Sequence, residues 1–244
     1  MPAKLKLEEA PTFAKQGYTV IKLVQPSAEI INSFDNLPRD THSMGRLRQI
    51  RLTQYFSYND DGEWVFATLP KRDYIQSSEY IKLAEAGGVR RHREQLEIDP
   101  SNIVSEIMNS LPISKDKLYQ VNVNQIRVIS NGTYNGITVP EGPHRDGHEF
   151  SVIAVVTRKN IEGGKTQIFS PDAEKLLFEH TLSENQAILI DDERFVHTAS
   201  NIKHVIGSEG YRDIFVIEVN HWNNRAYGLK HEKSAESPMQ AKIV

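Results

Sequence analysis

The chain contains no cysteine, which excludes disulfides, thiolate metal sites and cysteine nucleophiles together. It has no apolar run near the roughly 18 residues that mark a membrane-spanning helix. The opening MPAKLKLEEA also lacks the apolar stretch of a secretory signal. These absences point to the cytoplasm and to no membrane partner. Charge is nearly balanced, at a formal −3 over 244 residues, so there is no electrostatic footprint for nucleic acid. The one basic cluster, VRRHRE at 89–94, reads as a solvated or substrate-facing patch. Internal repeats and low-complexity segments are absent as well. What remains is an ordinary globular composition in a chain long enough to bury a full core.

The order of patterns along the chain suggests its architecture. TFAKQGYTVIKL (12–23) reads as the end of a short helix, a stop at Gly17 and a strand. AEIINSFDNL (28–37) has the spacing of a short amphipathic helix. GRLRQIRLTQYFSYND (45–60) carries β-branched and aromatic residues between polar ones and ends in a turn at NDDGE, after which EWVFATLP returns as a partner strand. SEYIKLAEAGGVRRH (78–92) has helical spacing until Gly87-Gly88 breaks it, and SNIVSEIMNSLP (101–112) reads as a helix with Ser101 as its N-cap. Beyond residue 118 the character changes to short β-rich runs, among them YQVNVNQIRVIS, FSVIAVVT, QAILID and RDIFVIEVNHW, separated by turn residues. Such spacing favours a sandwich or barrel. DAEKLLFEHTL (172–182) reads as one helix between two strands. The expected class is therefore α+β with a mainly β core in a single domain. A helix-rich 1–117 packs on the β core of 118–222, and a polar tail, 225–244, is loosely held.

Within this frame, GPHRDGHEF (142–150) concentrates polar groups ahead of an apolar strand. In extended backbone His144 and Asp146 point to the same face, so an imidazole and a carboxylate can grip one ion. A third ligand must come from elsewhere, and His197 in DDERFVHTAS follows the apolar strand QAILID. Two histidines and one carboxylate form the facial set that leaves coordination positions open on a non-haem Fe(II). Arg212 opens the last long strand and shares a face with Ile214 and Val216, where its planar fork calls for a carboxylate. A second reading stays open: His144, Asp146 and His148 in HRDGH also suit a hydrolytic zinc.

These elements, in this order, resemble the Fe(II)/2-oxoglutarate-dependent dioxygenases. More narrowly, the chain is similar to the bacterial L-isoleucine 4-hydroxylase-type free amino-acid dioxygenases. The matching stretches are NQIRV, PHRDGHEF, NIEGGKTQIF, FVHTAS and YRDIFVIEV, with weaker similarity upstream through GRLRQIR and QSSEYIKLAEAGGVRRH. The resemblance implies a double-stranded β-helix, or jelly roll. It implies Fe(II) on His144, Asp146 and His197, dioxygen as oxidant, and 2-oxoglutarate with its distal carboxylate on Arg212. It adds Thr166 and Thr198 as hydroxyl donors near metal or co-substrate, and Gln125 and Arg127 as polar residues of a strand lining the pocket. The substrate it suggests is a free L-amino acid. Arg127 is then the candidate for its carboxylate, Asp192 or Glu141 for its ammonium, and basic residues of GRLRQIR or VRRHRE lie within reach. The histidine-rich HRDGHEF and the loop NGTYNGITVPEG depart from the family pattern and leave the substrate open. The competing class is a cupin-like binding or stress-response protein that keeps the barrel without the chemistry. An intact His-Asp-His set with Arg212 separates the two.

Overall fold

A computed structural model of the chain describes residues 13–43, 45 and 47–236. Its elements run α1 (Phe13–Gln16), β1 (Tyr18–Lys22), α2 (Ala28–Ser33), β2 (Leu47–Asp60), β3 (Glu63–Thr68), α3 (Ser101–Ser110), β4 (Tyr119–Asn131), β5 (Phe150–Lys159), β6 (Ile161–Gly163), β7 (Thr166–Phe169), β8 (Leu176–His180), β9 (Gln186–Asp191), β10 (Val196–Ala199), β11 (Ile202–His204), β12 (Glu209–His221) and α4 (Leu229–Ala235). Seven strands form one antiparallel sheet in the order β1-β9-β5-β12-β4-β2-β3. A smaller sheet, β10-β7-β8, and the pair β11-β6 complete the barrel. This is the expected jelly roll.

Strand β4 shows why the large sheet is covered on both sides. All of its residues except Asn131 are buried, and successive side chains point to opposite faces. Val121 and Val123 belong to a core shared with Phe34, Ile107 and Met108, under α2 and α3. Ile126 and Val128 belong to a second core with Ile153, Ile168, Ile188 and Ile214, between the sheets. Helix α3 follows from the first core. It buries Ile103, Val104, Ile107 and Met108, one face at helical spacing. Each such side chain contributes about 1.5–3 kcal/mol when fully buried.

Five expectations are corrected. Residues 78–92 are turns rather than helix. The chain loops back so that Tyr74 pairs with Arg91 and Gln76 with Gly87, and a Cβ at Gly87 would lie 1.9 Å from the Ile81 carbonyl oxygen. Within 172–182 the structure has strand β8 and no helix, because its partner β7 offers an open edge. Ser101 is the first residue of α3, not its cap: the Asp99 carboxylate accepts the Ser101 N–H at 2.9 Å. The half before residue 118 is less helical than expected and contributes β1, β2 and β3 to the large sheet. Residues 229–235 of the polar tail form α4, docked by Glu232, which pairs with Arg72 and Arg90; residues 237–244 lie outside the described residues.

Candidate active site

The sequence builds the site from two strand ends. His144 and His197 form an antiparallel bridge, each backbone N–H donating to the other's carbonyl at 3.0 and 2.8 Å. Their rings are thereby held 4.8 Å apart, centre to centre. Asp146 completes the set, its Oδ1 3.5 Å from His144 Nε2 and its Oδ2 3.4 Å from His197 Nε2. One ligand atom from each of the three lies within 4.8 Å of the others. Ligand bonds of about 2.0–2.2 Å to a first-row metal fit that spacing.

Neighbouring groups fix the donors. His144 Nδ1 sits 3.1 Å from the Gly142 carbonyl oxygen, so this nitrogen carries a hydrogen and Nε2 is the one left to a metal once its own proton is displaced. Ser151 donates its hydroxyl to Asp146 Oδ2 at 2.7 Å, and Gln76 donates to the Asp146 carbonyl at 3.1 Å. Burial works against charge on His144, but the Asp146 carboxylate outweighs it and holds the imidazole at about 9 without a metal.

Asp192 is the organiser of this turn. It is fully buried. Its carboxylate accepts the N–H groups of Asp146, Gly147 and His148 at 3.1, 2.9 and 3.1 Å, and Oδ1 lies 3.6 Å from His197 Nδ1. Three consecutive N–H groups converge on one carboxylate because Gly147 adopts φ +85°, a conformation open to glycine at little cost. A Cβ there would also lie 2.5 Å from the Tyr80 ring. Asp192 is therefore committed to the backbone and does not line the cavity, which corrects its expected role as an ammonium partner.

The triad lines a cavity of about 150 Å³, together with Arg212, Thr166 and Thr198. Arg212 is one of the largest fully buried side chains, and its Nε and Nη2 have no hydrogen-bond partner. The Thr166 hydroxyl, also buried, has none either. On the strand ladder Arg212 stands directly opposite Arg158. Burial, and then that second guanidinium, depress the Arg212 pKa to about 10. Gly164 leaves room here, since a Cβ on it would lie 3.1 Å from Arg158 Nη1 and 3.5 Å from Arg212 Cδ. Unmet buried donors of this kind call for an anion, and the distal carboxylate of 2-oxoglutarate fits them.

Two expected pocket residues lie elsewhere. Gln125 and Arg127 are on the helix-covered face of β4 and are not in the cavity wall. Gln125 donates to the Ser33 hydroxyl at 2.7 Å. Arg127 is bidentate to Asp213 at 2.6 and 2.8 Å, pairs with Asp35 and stacks on Tyr211. Both share a face with Val121 and Val123, as strand alternation expects, but that face belongs to the helices. His148 is turned from the triad as well: Nδ1 accepts from Asn220 at 2.8 Å and Nε2 lies 3.1 Å from Glu218. It is absent from the clustered ligands, so the zinc reading loses its third ligand. The inner face of β4 instead presents Asn124, Ile126 and Val128 to the cavity. Sequence reasoning missed Ser151, Gln76, Tyr74 and Glu218. Of the basic stretches, Arg48, Arg91 and Arg93 do reach the cavity wall, as does Glu141.

With this geometry in place, the comparisons define the class. Residues 31–218 match the family model described as 2OG-Fe dioxygenase. The chain belongs to that family, a group of Fe(II)- and 2-oxoglutarate-dependent oxygenases that use dioxygen. No curated protein matches it. Among solved structures it is similar to a bsmA homolog from Methylobium petroleophilum PM1, with 20% identity and a TM-score of 0.70 over 86% of this chain and 91% of that one. It is also similar to IDO from Bacillus thuringiensis, with 16% identity and a TM-score of 0.65 over 90% of this chain and all of that one. At these identities the likeness is one of fold. No helix among the described residues is long and apolar enough to cross a membrane.

Proposed function

We propose that this dioxygenase hydroxylates an unactivated C–H bond of a small aliphatic substrate, a free L-amino acid, in the cytoplasm. His144, Asp146 and His197 hold Fe(II), while Arg212, with Thr166 beside it, holds the distal carboxylate of 2-oxoglutarate. Thr198 brings a further hydroxyl to the cavity wall. Together, iron, 2-oxoglutarate and dioxygen supply oxygen insertion into a C–H bond, coupled to decarboxylation of 2-oxoglutarate to succinate and carbon dioxide.

One observation carries the reading. Two unpartnered guanidinium donors and one unpartnered hydroxyl open into the same cavity as a clustered His-Asp-His set. A binding protein without the chemistry has no need to keep a metal-ligand set beside such a cation. The chain's residues do the positioning. Arg212 fixes the co-substrate's far end, and the bridge between His144 and His197 sets the ligand plane. Asp192 holds the 146–148 turn and faces the outer nitrogen of His197. The apolar wall of Ile50, Ile126, Ile153, Ile214 and Val216 excludes water and suits an aliphatic body. Of the expected ammonium partners, Glu141 stands on the cavity wall, half-buried.

The test is a panel of the twenty amino acids incubated with Fe(II) protein, 2-oxoglutarate and air, with succinate and hydroxylated product measured together. Stoichiometric succinate and product with one amino acid is the expected result. Succinate release that no amino acid stimulates refutes the amino-acid substrate. A protein that binds neither Fe(II) nor 2-oxoglutarate refutes the site itself.

A further inference from the structure

The cavity has a second group of cations besides Arg212. Arg48, Arg91 and Arg93 all line it. Arg91 and Arg93 are each only 5% exposed. Asp40, the carboxylate nearest Arg93, is occupied by Arg48 and Arg93; Arg91 feels Asp40 and Glu218 only through space, with no ion pair to either. Arg91 Nη2 donates to the neutral side-chain carbonyl of Gln76 at 2.7 Å, and its Nε has no partner. Arg93 has two unpartnered donors, Nε and Nη2. Burial depresses both guanidiniums below the usual arginine range, Arg93 to about 10. Arginine does not deprotonate in practice, so three cations, Arg48, Arg91 and Arg93, stand around one ion-paired carboxylate, Asp40.

The remaining carboxylates of the wall do not supply it. Asp146 belongs to the metal set. Glu218 is engaged by the Tyr74 hydroxyl at 2.8 Å, Asn122 at 2.8 Å and His148 at 3.1 Å. Glu141 is half-buried, while Arg91 and Arg93 are buried.

We propose that Arg91 and Arg93 form the anchoring site for a substrate carboxylate, and that this carboxylate, not an ammonium group, is the handle by which the enzyme holds its substrate. The inference rests on the proposed function for the identity of the cavity. Both guanidiniums are held in place before substrate arrives. Arg91 lies over the Tyr74 ring, 5.0 Å from its centre, and Arg93 is tied to Asp40. A planar carboxylate suits two forks with free N–H groups. Gln76 links Arg91 to the metal set, because it accepts from Arg91 and donates to the backbone of Asp146. A carboxylate on Arg91 therefore lies three hydrogen bonds from a metal ligand, and the aliphatic carbons next to it meet the apolar wall.

The test uses protein loaded with Mn(II), saturated with 2-oxoglutarate and kept from air. It is titrated calorimetrically with L-leucine, 4-methylpentanoate and 3-methylbutylamine. These share an aliphatic body and carry both charged groups, the carboxylate alone and the ammonium alone. Both acids bind and the amine does not. Arg91→Met weakens both acids about tenfold to a hundredfold, the range for a charge-assisted hydrogen bond, and leaves 2-oxoglutarate affinity unchanged. Arg93→Lys, which keeps a cation for Asp40 but removes the fork, does the same. The inference is overturned if the amine binds as well as the acids, if the variants bind the acids like the parent, or if neither acid binds a protein that takes up 2-oxoglutarate. Failure to bind 2-oxoglutarate sinks the proposed function instead. The acids are then titrated into metal-free protein, where binding that Arg91→Met weakens upholds the carboxylate site and its absence overturns it.

Discussion

Replacing Arg212 by methionine separates a ligand-binding arginine from a structural one, because the two roles predict opposite signs. Arg212 is fully buried, faces Arg158 across the ladder and leaves Nε and Nη2 without partners. In the ligand-free protein its charge is a cost. Exchanging a buried, poorly compensated ion for an apolar side chain of similar length is expected to be neutral or stabilising by about 1–4 kcal/mol. In the presence of 2-oxoglutarate the sign reverses. A ligand at a hundred times its Kd stabilises the folded state by about 2.7 kcal/mol. That raises the melting temperature of a chain this size by roughly 5–10 °C. Loss of one charge-assisted hydrogen bond weakens binding by about 1.5–3 kcal/mol. The ligand-induced stabilisation then falls to roughly 0.3–1.3 kcal/mol at the same concentration. The assay is a pair of thermal melts, with and without 2-oxoglutarate, on parent and variant loaded with Mn(II). The expected variant melts at the parental temperature or above without ligand and gains little with it. A variant that melts several degrees lower without ligand, yet shows the full ligand-induced shift, refutes the reasoning.

Further substitutions test the rest of the site. Asp192→Asn removes the charge near His197 Nδ1 and disturbs the acceptor of three backbone N–H groups. It is expected to weaken metal binding by about 10- to 100-fold, measured by competition with a chelating dye; unchanged affinity shows that Asp192 does not position the ligands. His148→Gln is expected to retain one metal ion per chain by elemental analysis, because His148 faces Glu218 and Asn220. Loss of the metal restores HRDGH as a ligand run. Glu232→Gln weakens the pairs from α4 to Arg72 and Arg90, which flank the loop carrying Tyr74, Gln76 and Arg91. Hydrogen exchange in 71–91 is expected to speed up while exchange in β4 and β12 stays constant. Uniform acceleration across the sheet contradicts a local clamp.

The parts of the site legible in the sequence were those whose geometry is local or whose chemistry admits few alternatives. His144 and Asp146 share a face by strand periodicity, and an arginine opening an apolar strand demands an anion wherever that strand lies. The His197 assignment needed only a strand before it. Gln125 and Arg127 show where periodicity stops. A period of two sorts residues into two faces, but both faces of β4 are buried, and nothing in the pattern says which one the helices cover. Asp192 depended on the end of β9 lying beneath a turn more than forty residues earlier, a contact that no local pattern encodes. The helix expected at 78–92 had a wider cost. In extended backbone, alternate residues share a side, so Arg91 and Arg93 reach the cavity while Arg90 turns to Glu232 and Glu236 and His92 is exposed. Taking the preceding residues as helix left VRRHRE without a backbone direction. The basic run then read as one patch, although its alternate members serve two different purposes.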